Sequence, residues 1–274
     1  MTTWHSQDEP APRRPDARGW LRIVARGGPM AILTFGGLLL LLLLRPAERL
    51  AHGMARPWTG RLVRAVCRAD LAIMGLRLRV EGRPMAGAGA IVANHASWLD
   101  IFVLNAAERV FFVAKAEVEG WAGIGWLARA TGTVFIARDP REAPAQTALF
   151  EARLRAGHRL LFFPEGTSTD GLRVLPFKPT LFEAFFAEGL RDLLWIQPVS
   201  VTYRAPPGQD PRFYGWWGHM GFGPHFLEVL AEPRQGMAEV VFHPPLRVAD
   251  FSGRKVLARQ AEDAVRAGHA LPAP

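Results

Sequence analysis

The sequence predicts an α/β body, a mixed sheet with covering helices, placed behind an N-terminal helical membrane anchor. Three observations carry this. From Leu76 onward, short apolar runs rich in β-branched and aromatic residues alternate with helical stretches, as in a sheet covered by helices. Ahead of them, Gly27 to Leu44 runs 18 residues without a charge and ends in seven consecutive leucines. The formal charge of +8 is also confined. Up to Val80 there are 13 arginines, no lysine and 5 acids, whereas from Glu81 onward 20 basic residues balance 20 acidic ones. A nucleic-acid domain carries its positive charge on the folded body, so this distribution argues against one. Apolar residues make up 49% of the chain, enough for a sizeable core, and the single cysteine, Cys67, excludes an internal disulfide and a cysteine zinc cluster.

Residues 1–18 are polar, contain Pro10, Pro12 and Pro15, and are expected to form a disordered tail. Residues 19–75 are expected to be membrane-anchoring helices. As a helix, the uncharged run would span about 27 Å, just short of a hydrocarbon core of roughly 30 Å. Arg22 and Arg26 precede it and Arg45 and Arg49 follow it, so the basic flanks give no orientation. The long polar lead and the lack of a small-residue cleavage site after Leu44 argue against a secretory signal. A re-entrant hairpin would place both flanks on one side, and a single span is the alternative. Pro46 and Pro57 punctuate the returning stretch, in which Arg61, Arg64 and Arg68 lie near one face suited to anionic headgroups.

Residues 76–274 are expected to be the folded domain. Strands are predicted at 76–81, 90–94, 110–114, 133–136, 160–163, 196–203 and 239–242. Helices are predicted at 99–106, 120–130, 143–156, 179–188 and 256–267. Ala205–Pro211, with three prolines and a glycine, reads as a loop, and 270–274 as a frayed end.

Two clusters carry chemistry. Asn94-His95-Ala96-Ser97-Trp98-Leu99-Asp100 follows a short strand and opens a helix. Five residues apart on one helix, His95 and Asp100 would diverge by about 140°. They meet only if His95 lies on the preceding loop and folds back over the first turn. The carboxylate would then fix the imidazole tautomer and leave the other nitrogen free to take a proton. No G-x-S-x-G elbow occurs, so the simplest chemistry is direct: His95 deprotonates a substrate hydroxyl, which attacks a thioester carbonyl. The same residues also fit a helix cap by Ser97 beside an incidental histidine. The second cluster, Phe162-Phe163-Pro164-Glu165-Gly166-Thr167-Ser168, ends a strand abruptly. Open α/β sheets bind ligands at such ends, and Gly166 permits close backbone approach. A plain turn is the other reading. His219, His225 and His243 are too widely spaced to propose a metal site.

Together the clusters resemble the glycerolipid acyltransferase family, which includes the lysophosphatidic acid acyltransferases. Its N-H-x-x-x-x-D block is matched by Asn94, His95 and Asp100, and its G-x-x-F-I-x-R block by Gly132, Phe135, Ile136 and Arg138. Its F-P-E-G-T block is matched by Phe163 to Thr167, and its apolar strand with proline by Ile196 to Val199. Lys115, ahead of Gly125-Trp126, is similar to the lysine that precedes a Gly-Trp in the family. The blocks occur in family order over roughly residues 76–248. The resemblance implies His95 as general base and Asp100 as its orienting partner. It implies Glu165 and Gly166 as acceptor-binding residues and Arg138 as a head-group contact. It also implies an acyl donor on acyl carrier protein or coenzyme A, a lysolipid acceptor drawn from a lipid bilayer, no metal or organic cofactor, and no nucleic acid. The implied location is a bacterial-type inner membrane, with the catalytic domain facing the cytoplasm.

The acceptor block departs from the usual pattern. Where the lysophosphatidic acid enzymes read F-P-E-G-T-R, this chain has Ser168, followed by Thr169 and Asp170. A hydroxyl is a poor substitute for a phosphate-clamping arginine. The stretch Glu165–Lys178 and the Tyr214–Met220 segment look like the branch that acylates lyso-ornithine lipids, whose head group carries an amine and a carboxylate but no phosphate. Asp170 would suit the amine. Alternatively Arg173 or Lys178 takes over a phosphate and the acceptor is lysophosphatidate. A non-catalytic lipid-binding module and a hydrolase are the readings from other classes. Trp216, Trp217 and Phe222 fit either an interfacial belt or the core.

Overall fold

The computed structural model describes residues 3–6, 9–10, 13–87, 89–121, 124–136, 141, 143–187 and 189–269. Two helices, α1 (Ala17–His52) and α2 (Pro57–Met74), form a hairpin. Asp16 caps α1 by accepting the Gly19 N–H at 2.6 Å. The helix runs through Pro29 and Pro46 and ends at Gly53, so Pro46 does not punctuate the chain as the sequence suggests. Glu48, two residues beyond Pro46, explains why. Its carboxylate is fully buried and accepts the Trp58 N–H (2.6 Å), the Thr59 N–H (2.9 Å) and the Thr59 hydroxyl (2.6 Å). The last turn of α1 thereby caps the start of α2, where Pro57 takes a first-turn position that needs no N–H donor.

Met30, Leu38 and Leu41 of α1 are buried, whereas Ile32, Phe35, Leu39 and Leu43 are exposed. The arginines at the base of the hairpin turn inward. Arg22 donates to the Ala231 carbonyl (2.5 Å) and Arg26 to those of Leu230 (2.8 Å) and Glu232 (2.6 Å), closing the C-terminus of α7 (Phe222–Ala231). Arg64 donates to Ala107 (2.7 Å) and Arg68 to Ala106 (2.8 Å) at the end of α3 (Asp100–Ala107). The face expected to meet headgroups is therefore largely engaged in helix capping.

The body is one sheet in the order β1-β7-β6-β2-β5-β3-β4, with β8 also on β6. The strands are β1 (Arg77–Gly82), β2 (Gly89–Ala93), β3 (Phe111–Lys115), β4 (Val134–Ile136), β5 (Arg159–Phe162), β6 (Trp195–Arg204), β7 (Met237–Phe242) and β8 (Leu246–Arg247). β6 pairs antiparallel with β7 and β8, and the other pairings are parallel, so the sheet is mixed as predicted. Pro198 lies inside β6 between the stretch that pairs with β8 (195–196) and the stretch that pairs with β7 (199–204). Its missing N–H falls in that gap.

α4 (Ala116–Glu119), α5 (Ile124–Thr131), α6 (Ala143–Arg155) and α8 (Arg254–Gly268) complete the helices. The predicted helix at 179–188 is instead a 3₁₀ segment, Pro179–Phe186, and α7 was not predicted at all. Pro224 stands in the first turn of α7, where its missing donor is harmless, so Gly221–Pro224 reads as a breaker but opens a helix. Residues 3–16, where described, lie against the body: the Trp4 N–H donates to Thr167 Oγ1 (3.3 Å) and Trp217 Nε1 to Ser6 Oγ (3.1 Å).

Candidate active site

β2, β3 and β5 run parallel, so Asn94-His95, Lys115 and Phe163–Gly166 gather along one edge of the sheet. Each chain leaves its strand there because the apolar run stops at a polar residue. Asn94 prolongs the ladder with its side chain: its Nδ2 donates to the Val201 carbonyl and its Oδ1 accepts the Val201 N–H, each at 2.8 Å. This fixes the exit direction of the His95 turn.

His95 folds back over the first turn of α3, and its Nδ1 lies 2.7 Å from Asp100 Oδ2. The same Oδ2 accepts the N–H groups of Ala96 (2.9 Å) and Ser97 (3.1 Å), and Oδ1 accepts the Tyr203 hydroxyl at 2.6 Å. Asp100 is fully buried and carries four donors, which suits the ionised carboxylate. With Nδ1–H donating to it, the proton-accepting position of His95 is Nε2, which has no partner among the described residues. Phe163 stacks on the imidazole, centroids 4.1 Å apart and planes within 11°. Ser97, the alternative helix cap, makes no side-chain cap of α3.

Tyr203 is not among the site residues that the sequence predicts. Burial, and then the Asp100 charge, push its hydroxyl well above the ordinary value, so it remains a donor. The available signal was that only two tyrosines occur in the chain and one falls inside the predicted strand beside the proline block.

Glu165 departs from the acceptor contact expected of it. It is 1% exposed. One carboxyl oxygen accepts the His95 N–H and the other the Leu175 N–H, both at 2.7 Å. It is an internal brace between the His95 turn and the loop after β5. Burial pushes its carboxyl up to about 8, against the lowering effect of those two donors. Gly166 turns the chain at φ 73°, its N–H donating to Phe163 O at 3.0 Å, a conformation that glycine tolerates best. Thr167 and Ser168 are half-buried beside it. The Thr169 N–H donates to the His95 carbonyl at 3.0 Å.

Asp170 also departs from expectation. It is 2% exposed, and its two oxygens take Nε (3.1 Å) and Nη2 (2.9 Å) of Arg173, with the Leu172 N–H at 3.1 Å. Lys115 ends β3 at the same edge. Arg138 lies outside the described residues. Trp217 is buried, Trp216 half-buried and Phe222 exposed, so the aromatic stretch is divided between core and surface. Among the described residues no cluster of three or more metal-ligating side chains occurs. His225 accepts from Trp98 Nε1 (2.9 Å), a packing role.

A family model described as Acyltransferase matches residues 77–202. The chain is 59% identical to a lyso-ornithine lipid O-acyltransferase of Rhodobacter capsulatus over 265 residues, covering 97% of this chain and 96% of that one. It is 36% identical to a protein of the same name from Brucella abortus, over 81% and 86% of the two chains. The crystal structure of the 1-acyl-sn-glycerophosphate acyltransferase PlsC from Thermotoga maritima shares the fold with a TM-score of 0.65 at 21% identity, over 92% of this chain and 95% of that one. Near-full-length identity, together with the blocks assembled at one sheet edge, places this chain in the glycerolipid acyltransferase family, and the protein is an acyltransferase.

Proposed function

We propose that this enzyme moves a fatty acyl group from a thioester, on acyl carrier protein or coenzyme A, to the free hydroxyl of a lysolipid, and that the preferred acceptor is lyso-ornithine lipid. The observation that carries the chemistry is the His95–Asp100 pair at 2.7 Å, which leaves Nε2 without a partner among the described residues. Nε2 takes the proton as the acceptor oxygen attacks the thioester carbonyl. The new C–O bond forms, the C–S bond breaks, and the imidazolium returns the proton to the departing thiolate. Asp100, held by its own donors, stabilises the imidazolium between these events. The step needs neither a metal nor an organic cofactor.

The acceptor assignment is supported by Ser168, which stands where a phosphate-clamping arginine is usual, and by the similarity to two proteins named for that acceptor. Residues 19–75 serve as the anchor and 76–274 as the acyltransferase domain. The exposed apolar face of α1 supports attachment to a bilayer, and in this proposal the bilayer is an inner membrane approached from its cytoplasmic side, from which the lysolipid enters. The test is turnover by purified enzyme offered lyso-ornithine lipid or lysophosphatidate with acyl carrier protein thioesters. Turnover of lyso-ornithine lipid is expected; turnover of lysophosphatidate alone would refute the acceptor. Donor consumption without a lipid product would identify a hydrolase.

A further inference from the structure

A lyso-ornithine head group brings a carboxylate that needs a partner, and the Asp170 that the sequence offers to its amine has both oxygens taken by Arg173. We propose that Arg173, held along one edge by Asp170 and set over the ring of Trp4, is the receptor for the carboxylate of the acceptor head group. The proposal rests on the lyso-ornithine assignment.

A guanidinium is planar, with five N–H donors in the plane and an apolar face above and below. Asp170 occupies the edge made by Nε and Nη2. The Arg173 Cζ lies over the Trp4 ring, 5.0 Å from its centroid. Neither contact blocks the remaining edge, where Nη1 has no partner among the described residues. The Arg173 side chain is 52% exposed while that of Asp170 is 2% exposed. The arginine is therefore held by a buried carboxylate beside an aromatic ring, while about half of its side chain stays open to solvent. An exposed arginine without such restraints would lose side-chain entropy on binding; this one is already ordered.

The receptor is also tied to the base. Glu165 accepts the His95 N–H, the Thr169 N–H donates to the His95 carbonyl, and the Thr169 hydroxyl donates to the Arg173 carbonyl at 3.3 Å. Trp4 reaches the same loop through Thr167 and is tilted against Trp217 at 6.2 Å. The neighbouring Trp216 N–H donates to the Ala96 carbonyl at 2.8 Å. The N-terminal segment thus binds two loops that both hold the turn carrying His95.

The charges select among anions. The Asp170–Arg173 pair is neutral as a unit. It accepts the single negative charge of a carboxylate belonging to a zwitterion, but a phosphate monoester brings close to two negative charges against a buried aspartate. The head-group amine then lies away from Asp170, the reverse of the pairing suggested by sequence.

The experiment uses full-length enzyme in detergent with lyso-ornithine lipid and its carboxyl methyl ester as acceptors. Wild type should prefer the free acid by roughly tenfold or more in kcat/KM, as for a charge-assisted contact. Arg173→Gln should reduce the acid to the level of the ester. Asp170→Asn and Trp4→Ala should narrow the preference mainly through a higher KM for the acid, and Trp4→Phe should restore much of it. Trp4 lies in a terminal segment, so its variants keep the test decisive if Arg173→Gln fails to fold. Equal use of acid and ester by wild type, or full discrimination by Arg173→Gln or Trp4→Ala, would overturn the receptor while leaving the acceptor assignment intact. Turnover of lysophosphatidate alone would overturn both.

Discussion

At the scale of single residues, the dyad makes the strongest demand. If Nε2 of His95 is the base, His95→Ala should lower kcat by about a thousandfold or more, because the Asp100 carboxylate on the same turn stays engaged by Ala96, Ser97 and Tyr203. Asp100→Asn should cost a comparable factor, since an amide can support the wrong tautomer. Both are checked by acyl transfer under saturating substrates, with sedimentation on vesicles as the control that should not change. Tyr203→Phe removes one of four donors to Asp100, so kcat should fall by a smaller factor, on the order of tenfold, as expected for one hydrogen bond to a charged group. Glu165 predicts a pH dependence of stability instead. Its carboxyl is raised from the ordinary 4.5 to about 8 by burial, so the native state holds a proton that the unfolded chain releases. The stabilisation is full below about pH 4.5 and is lost as pH rises through about 8, a change of a few kcal/mol at about 1.4 per unit. Denaturant midpoints in detergent should fall between pH 5.5 and pH 9, and Glu165→Gln should flatten that slope. An unchanged slope in Glu165→Gln would assign the titration elsewhere.

At the scale of elements, the sequence was most legible where local pattern and tertiary placement agree. All seven predicted strands occur, within a residue or two of their expected limits, because each is a short apolar run stopped by a polar residue or a turn. The His95–Asp100 contact was also legible, because the five-residue spacing allows only one geometry in which they meet. What escaped depends on distant partners. α7 begins in a Gly-Pro stretch that reads as a breaker, and α1 survives Pro46 because Glu48 bonds residues ten and eleven positions later. Trp4 meets the loop after β5 across 163 residues, a contact no local pattern encodes, so the local sequence of the tail reads as disordered. The helical hairpin yields its own prediction. At Gly37 an added Cβ would lie 2.7 Å from Val66 Cγ2, so α1 and α2 touch closely there. Gly37→Leu should force the helices apart and lower unfolding stability by about 1–3 kcal/mol, the usual cost of overpacking. A thermal melt followed by the loss of secondary structure would measure it, and a midpoint equal to wild type would show that the crossing is looser than described.

At the scale of the whole molecule, the charge and the apolar surface divide the labour differently from what composition suggests. The net +8 belongs to the N-terminal stretch, yet Arg22, Arg26, Arg64 and Arg68 hold helix ends of the body. Those arginines join the hairpin to the body, which leaves the exposed apolar face of α1 as the surface for the proposed membrane attachment. Phe35, Leu39 and Leu43 follow one another at four-residue intervals and are 57%, 60% and 69% exposed, so they form one stripe on the outside of the helix. Deleting α1 would not isolate this surface, because Met30, Leu38 and Leu41 are buried and their loss would open the core. Replacing the stripe is the cleaner test. Burying one such side chain contributes roughly 1.5–3 kcal/mol, so Phe35→Gln, Leu39→Gln and Leu43→Gln together should shift the protein from the vesicle pellet to the supernatant. The buried side of α1 is untouched, so the triple variant should keep its fold and still acylate an acceptor presented in detergent micelles. It should lose turnover of the same acceptor embedded in a bilayer. Continued pelleting with vesicles would transfer the attachment to α2 or to the exposed Phe222.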